Sequence, residues 1–143
     1  METPKSAIES IKDSLKLIPI LKLKYKVKAN YDGDDPTLFV GVAESNMIEV
    51  LRPVVEEYFG PPYKPAGETA FLKNIFDHFV KSVGGVRKEQ TLFRKEISPT
   101  LILFCAFWPW GSDPVRTSIR IGLIFESQEE EDGISKELAP FFR

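Results

Sequence analysis

The sequence predicts an α+β fold, with about five antiparallel strands and helices over at least one face of the sheet. Three observations lead to it. Apolar residues recur at helical spacing in three separate segments, apolar runs of strand length are joined by turn-forming residues, and the order α-β-β-α-α-β-β-β lacks the strict strand–helix alternation of a parallel sheet. The 143 residues are 43% hydrophobic and 28% charged. A chain of this size buries roughly two-thirds of its unfolded surface on folding, so one core needs no metal or disulfide to stand. A single domain over residues 1–143 is expected, with an acidic tail at 127–143.

Thr3 followed by Pro4 reads as a helix start, and Ala7, Ile8, Ile11, Leu15 and Ile18 mark one face of a first helix that should end before Pro19. Next, Lys22, Lys24, Lys26 and Lys28 alternate with Leu21, Leu23, Tyr25 and Val27. Side chains on a strand point to opposite sides with period two, so this segment predicts a first strand with one apolar face and one row of four ammonium groups. The acidic turn Asp32-Gly33-Asp34-Asp35-Pro36 then leads to a second strand at 37–43, forming a hairpin.

Met47, Ile48, Leu51, Val54, Val55, Tyr58 and Phe59 fit a second helix after Ser45 and Asn46. Pro53 should kink it or delay its start to about Arg52, because proline lacks the N–H that helical bonding requires. Residues 60–67, rich in proline and glycine, read as a stiff connector, and 68–83 as a third helix stopped by Gly84-Gly85. Three strands follow at 86–97, 100–108 and 115–125, the last two joined by Pro109-Trp110-Gly111-Ser112-Asp113-Pro114. A short helical turn is expected at 134–139.

In Leu101 to Trp108 both alternating sets are apolar. The fourth strand therefore calls for cover on both faces, supplied by the first helix, by the Phe141-Phe142 tail or by a second copy of the chain.

The chemistry of the sequence is mostly exclusion. There is one cysteine, one histidine, no His-x-x-x-His, no Cys-x-x-Cys, no Gly-x-Ser-x-Gly and no glycine-rich phosphate loop. No metal, no cofactor and no catalytic residue is expected. His78 reads as a solvent-facing helix residue, Cys105 as core, and Asp32, Asp34 and Asp35 as turn residues lacking the rest of a calcium loop. No Asn-x-Ser/Thr sequon is present, and the longest apolar run is too short to span a bilayer, which fits a cytoplasmic protein with no membrane partner.

Two surfaces remain as binding candidates. Trp108, Trp110, Tyr63, Phe141 and Phe142 are the aromatic candidates for a protein partner. Lys22, Lys24, Lys26 and Lys28, joined by Arg116 and Arg120 if the first strand lies beside the fifth, are the candidates for an anion. Two further roles for the lysines are insulation of a sheet edge and an internal pairing with the acidic run 129–132. A net charge of −2 gives no global attraction to phosphate, and Tyr25 would face away from the lysines, so nucleic acid is disfavoured. The function expected is a small non-enzymatic interaction module, self-associating as a homodimer. The alternatives are a binder of an anionic ligand, RNA or acidic peptide on the lysine strand, or an enzyme whose site the sequence hides.

Overall fold

The computed structural model describes residues 5–30, 36–63, 90–98, 100–110, 115–125 and 128–143. The expected third helix and His78, the acidic turn at 32–35 and the tip of the Pro109–Pro114 turn lie outside these residues. The order is α1 (Lys5–Leu15), α2 (Leu17–Leu23), β1 (Lys28–Ala29), β2 (Leu38–Glu44), a 3₁₀ turn (Ser45–Met47), α3 (Ile48–Phe59), β3 (Thr91–Ser98), β4 (Leu101–Pro109), β5 (Arg116–Phe125), α4 (Gln128–Leu138) and a 3₁₀ turn (Ala139–Phe142). The strands form one antiparallel sheet in the order β1-β2-β5-β4-β3. The α+β class and the antiparallel sheet agree with the sequence reading.

The first region corrects it. α1 stops at Leu15, and the chain turns at Lys16 and becomes helical again through Pro19. Pro19 is tolerated because it falls in the first turn of α2, where a backbone N–H has no intrahelical partner to lose. Within α2, Leu17, Ile18 and Leu21 are buried, while Leu23 is 74% exposed. Helical spacing of the apolar residues therefore outweighs the alternation of lysines, since a strand here would have sent Leu21 and Leu23 to the same face. The helix closes with Lys24 N–H donating to the Ile20 carbonyl at 2.9 Å and Val27 N–H to the Leu21 carbonyl at 3.0 Å. Lys26, between them, takes φ of 60°, a left-handed conformation that costs a non-glycine residue about 1–2 kcal/mol. Among the described residues, Lys28 and Ala29 pair with β2, opposite Val42 and Gly41, and the Asn30 N–H donates to the Val40 carbonyl at 2.7 Å. The row of four lysines on one strand does not exist, and β1 lies beside β2 rather than β5.

β2 is paired with β5 along its whole length, from Leu38 opposite Gly122 to Glu44 opposite Arg116. Gly41 is required where Val27 crosses the sheet: a β-carbon there would lie 2.6 Å from Val27 Cγ1 and 3.0 Å from the Phe39 ring. α3 runs unbroken through Pro53, with Leu51, Val55 and Phe59 buried one turn apart. Pro53 and Glu49, whose carbonyl loses its helical donor, are both exposed, so the missing bond falls on the solvent side of the helix.

The main core lies between one sheet face and the helices, where Phe39, Phe93, Cys105, Phe107, Ile119 and Ile121 meet Ile11, Leu15, Leu17, Ile18, Leu51, Val55, Ile134, Leu138 and Phe142. Phe93 and Phe107 pack edge to face, with centroids 5.5 Å apart. α1 and the C-terminal segment both belong to this face, so neither is the second cover that β4 requires. On the opposite face Leu92, Phe104 and Ala106 are buried within one chain, with Leu38, Tyr63, Ile102, Trp108 and Ile124 packed around them. The acidic tail is also more ordered than expected. Glu129, Glu130 and Glu131 occupy the first turn of α4, at the end where the helix dipole favours negative charge. Ile134, Leu138 and Phe142, four residues apart, then anchor the segment in the core.

Candidate functional site

A half-open cleft of about 490 Å³ lies at the β1–β2 edge of the sheet. Five elements build it. The turn after α2 supplies Tyr25 and Lys26, β1 supplies Lys28, β2 and the 3₁₀ turn supply Val42, Ala43, Glu44 and Met47, and β5 supplies Arg116. Tyr25, Ala43 and Met47 pack against the main core and form an apolar floor. Among the described residues, Lys26, Lys28 and Arg116 stand around it with one acid, Glu44. Lys24 lies just outside, its ammonium 5.5 Å from the Tyr25 ring centroid.

This arrangement keeps three of the six expected anion-binding residues together, by a route different from the one expected. Lys26 and Lys28 reach the cleft because the chain leaves α2 in a left-handed turn, and Arg116 reaches it because the β2–β5 register sets it opposite Glu44. Lys22 belongs to α2 and does not line the cleft. The acidic run is engaged elsewhere: Thr100 Oγ1 donates to Glu130 at 2.9 Å, and Glu137, further along α4, pairs with Lys12 at 3.4 Å.

Arg120 sits two residues beyond Ser118 on the second sheet face, with its guanidinium 4.5 Å from the Trp108 ring centroid. Its Nε and the Trp108 indole Nε1 are both buried without a hydrogen-bond partner among the described residues. Trp110 is not a free anchor at the turn, since its Nε1 donates to Ser118 Oγ at 2.8 Å and its backbone N–H to the Arg116 carbonyl at 2.9 Å. The Arg116 guanidinium lies 5.8 Å from the Trp110 ring centroid. Tyr63 is stacked with Arg94, 3.8 Å from its ring centroid. Three aromatic candidates are thus each paired with an arginine. Of the last two, Phe142 is fully buried in the core, whereas Phe141 is 42% exposed with Lys12 5.2 Å above its ring centroid.

Cys105 is buried, and the loss of solvation pushes its thiol far above the usual range, leaving it a packing residue rather than a nucleophile. Among the described residues no group of three or more His, Cys, Asp or Glu is placed to hold a metal ion, and no helix is long and apolar enough to cross a membrane.

Sequence reasoning does not single out Glu44 or Val42, reads Met47 only as part of the second helix's apolar face, and reads Ser118 only as part of a polar side of the fifth strand. Glu44 carries no local signal, because its role follows from strand register. Comparison with protein-family models, curated proteins and solved structures finds no match to this chain.

Proposed function

We propose that the chain is a small non-enzymatic interaction module that takes an anionic partner at the edge cleft. One observation supports this reading above the others: Lys26, Lys28 and Arg116 converge from three elements on an apolar floor of Tyr25, Ala43 and Met47. Edge insulation needs lysines spread along a strand, and it gives no reason for a concave apolar floor beneath them. A cleft with a few placed charges over an apolar base is the usual form of a selective site.

Self-association through the second face is the less favoured reading. Its basis is the doubly apolar β4, yet Leu92, Phe104 and Ala106 are already buried within a single chain. The cleft reading needs no second copy.

The test is a titration of the intact chain with a fluorescent hexaglutamate peptide at about 20 mM and about 300 mM salt. Binding should weaken by about tenfold or more across that range, as the Debye length shortens from about 20 Å to about 6 Å. A Lys26→Glu/Lys28→Glu variant should lose it while keeping the wild-type circular dichroism and melting midpoint. Equal binding by the folded variant would remove the cleft from consideration.

A further inference from the structure

Arg116, at the cleft, shares a sheet face with a second set of donors further along β5. Directly paired residues point to the same face, so the registers Lys28–Val42, Val42–Ser118 and Ser118–Trp108 define one row across four strands. Along β5 that face presents Arg116, Ser118 and Arg120 at alternate positions. Arg116 lines the cleft. Arg120 lies about 14 Å away, four residues along a strand.

Arg120 is half-buried, and neither a hydrogen bond nor a salt bridge holds it among the described residues; its contact is the Trp108 ring. A guanidinium has five N–H donors in a rigid fork, and of these the Arg120 Nε–H is buried without an acceptor among the described residues, which is costly. Stacking on an indole fixes the plane of the fork without satisfying it, so the fork is pre-set for a planar two-oxygen acceptor.

We infer that the partner is an extended peptide segment with two acidic residues four apart, one carboxylate at the Lys28/Arg116 end of the cleft and the other on the Arg120 fork. This rests on the anionic reading of the cleft. An extended chain advances about 3.4 Å per residue, so side chains i and i+4 lie on one side about 14 Å apart, matching Arg116 to Arg120. A peptide fits better than single-stranded nucleic acid because the indole rings that would stack bases already carry guanidinium groups, at 4.5 Å for Trp108 and 5.8 Å for Trp110. The chain's net charge of −2 also opposes a polyphosphate.

The experiment uses the full chain at low salt and follows backbone and indole resonances by NMR during titration with two capped pentapeptides of equal charge, Glu-Ala-Thr-Ala-Glu and Glu-Glu-Thr-Ala-Ala. The spaced peptide should bind at least about fivefold tighter and shift the Trp108 indole N–H. Arg120→Lys keeps the charge but removes the fork, and should weaken the spaced peptide about tenfold, the size of one charge-assisted hydrogen bond. Arg120→Lys should leave the weaker peptide unchanged. If both peptides bind alike and Arg120→Lys has no effect, while Lys26→Glu/Lys28→Glu still abolishes binding, the Arg120 arm is wrong and the cleft reading stands. If neither peptide binds but an oligo-dT strand does and Lys26→Glu/Lys28→Glu abolishes it, the peptide assignment is overturned. If no probe binds, both readings fall together.

Discussion

Phe142 and Phe141 are adjacent, chemically identical and placed in opposite environments, which makes them a sharp test of the C-terminal packing. Phe142 is fully buried and belongs to the main core, whereas Phe141 is 42% exposed beside Lys12. Burying a phenylalanine removes about 200 Å² of largely apolar surface, worth about 5 kcal/mol at ~25 cal/mol/Å². Partial burial in the denatured chain and the carbon retained by alanine lower this to about 3–4 kcal/mol for Phe142→Ala. With a urea slope of about 2 kcal/mol/M, the unfolding midpoint should fall by about 1.5–2 M. Phe141→Ala removes an exposed cation–π contact worth about 0.5 kcal/mol, or about 0.3 M. Equilibrium unfolding followed by tryptophan fluorescence and by circular dichroism measures both shifts. A Phe142→Ala midpoint within about 0.5 M of wild type, with the slope unchanged, would refute the anchoring of α4 and return Phe142 to the list of partner contacts.

Two further outcomes follow from the packing of the sheet. Gly41→Ala should cost about 1–3 kcal/mol, because its β-carbon would lie 2.6 Å from Val27 Cγ1. In the Gly41→Ala/Val27→Ala double variant the loss should be smaller than the sum of the two single losses, and simple additivity in urea melts would argue against this crossing. Cys105 gives a pH dependence with a defined sign. The folded chain holds the thiol neutral while the unfolded chain ionises near pH 8.5, so its contribution is complete below about pH 8.5 and is lost as the pH rises above it. Raising the pH from 8 to 9.5 should cost wild type about 1 kcal/mol more than Cys105→Ala, and parallel losses would show that the thiol is accessible.

Strand content was legible in the sequence wherever one periodicity stood alone. β4, β5 and β2 are apolar runs bounded by turn residues, and α3 repeats Leu51, Val55 and Phe59 at helical spacing, so each could be read without knowing its neighbours. Residues 17–28 carry two periodicities at once. Lysines alternate from Lys22 to Lys28, while Leu17, Ile18 and Leu21 fit a helical face, and burial of that face decides the outcome. The acidic run was misread for a related reason: Glu129 to Glu131 look like a solvated tail until Ile134, Leu138 and Phe142 are seen to fall one helical turn apart. The site was legible as residues and illegible as a place. Lys26, Lys28 and Arg116 could be named from composition, but no local pattern reports that Glu44 faces Arg116 or that Lys28, Val42, Ser118 and Trp108 share a row, because these depend on long-range register.

The change from a lysine strand to a cleft also changes what the charges can select. Four ammonium groups in a straight row would attract any polyanion in proportion to its charge density, with little preference beyond that. Here the cations are fewer, and the β2–β5 register sets Glu44 directly opposite Arg116 on the same face. A densely charged phosphate chain meets that carboxylate with every charge it brings into the cleft, whereas a peptide with neutral residues between its acids brings only the one carboxylate held by Lys28 and Arg116. Discrimination by a built-in repulsion is as effective as discrimination by added attraction. Glu44→Gln should therefore strengthen binding of oligo-dT more than binding of the spaced peptide, and an equal gain for both would mean that Glu44 only lowers the net potential of the cleft.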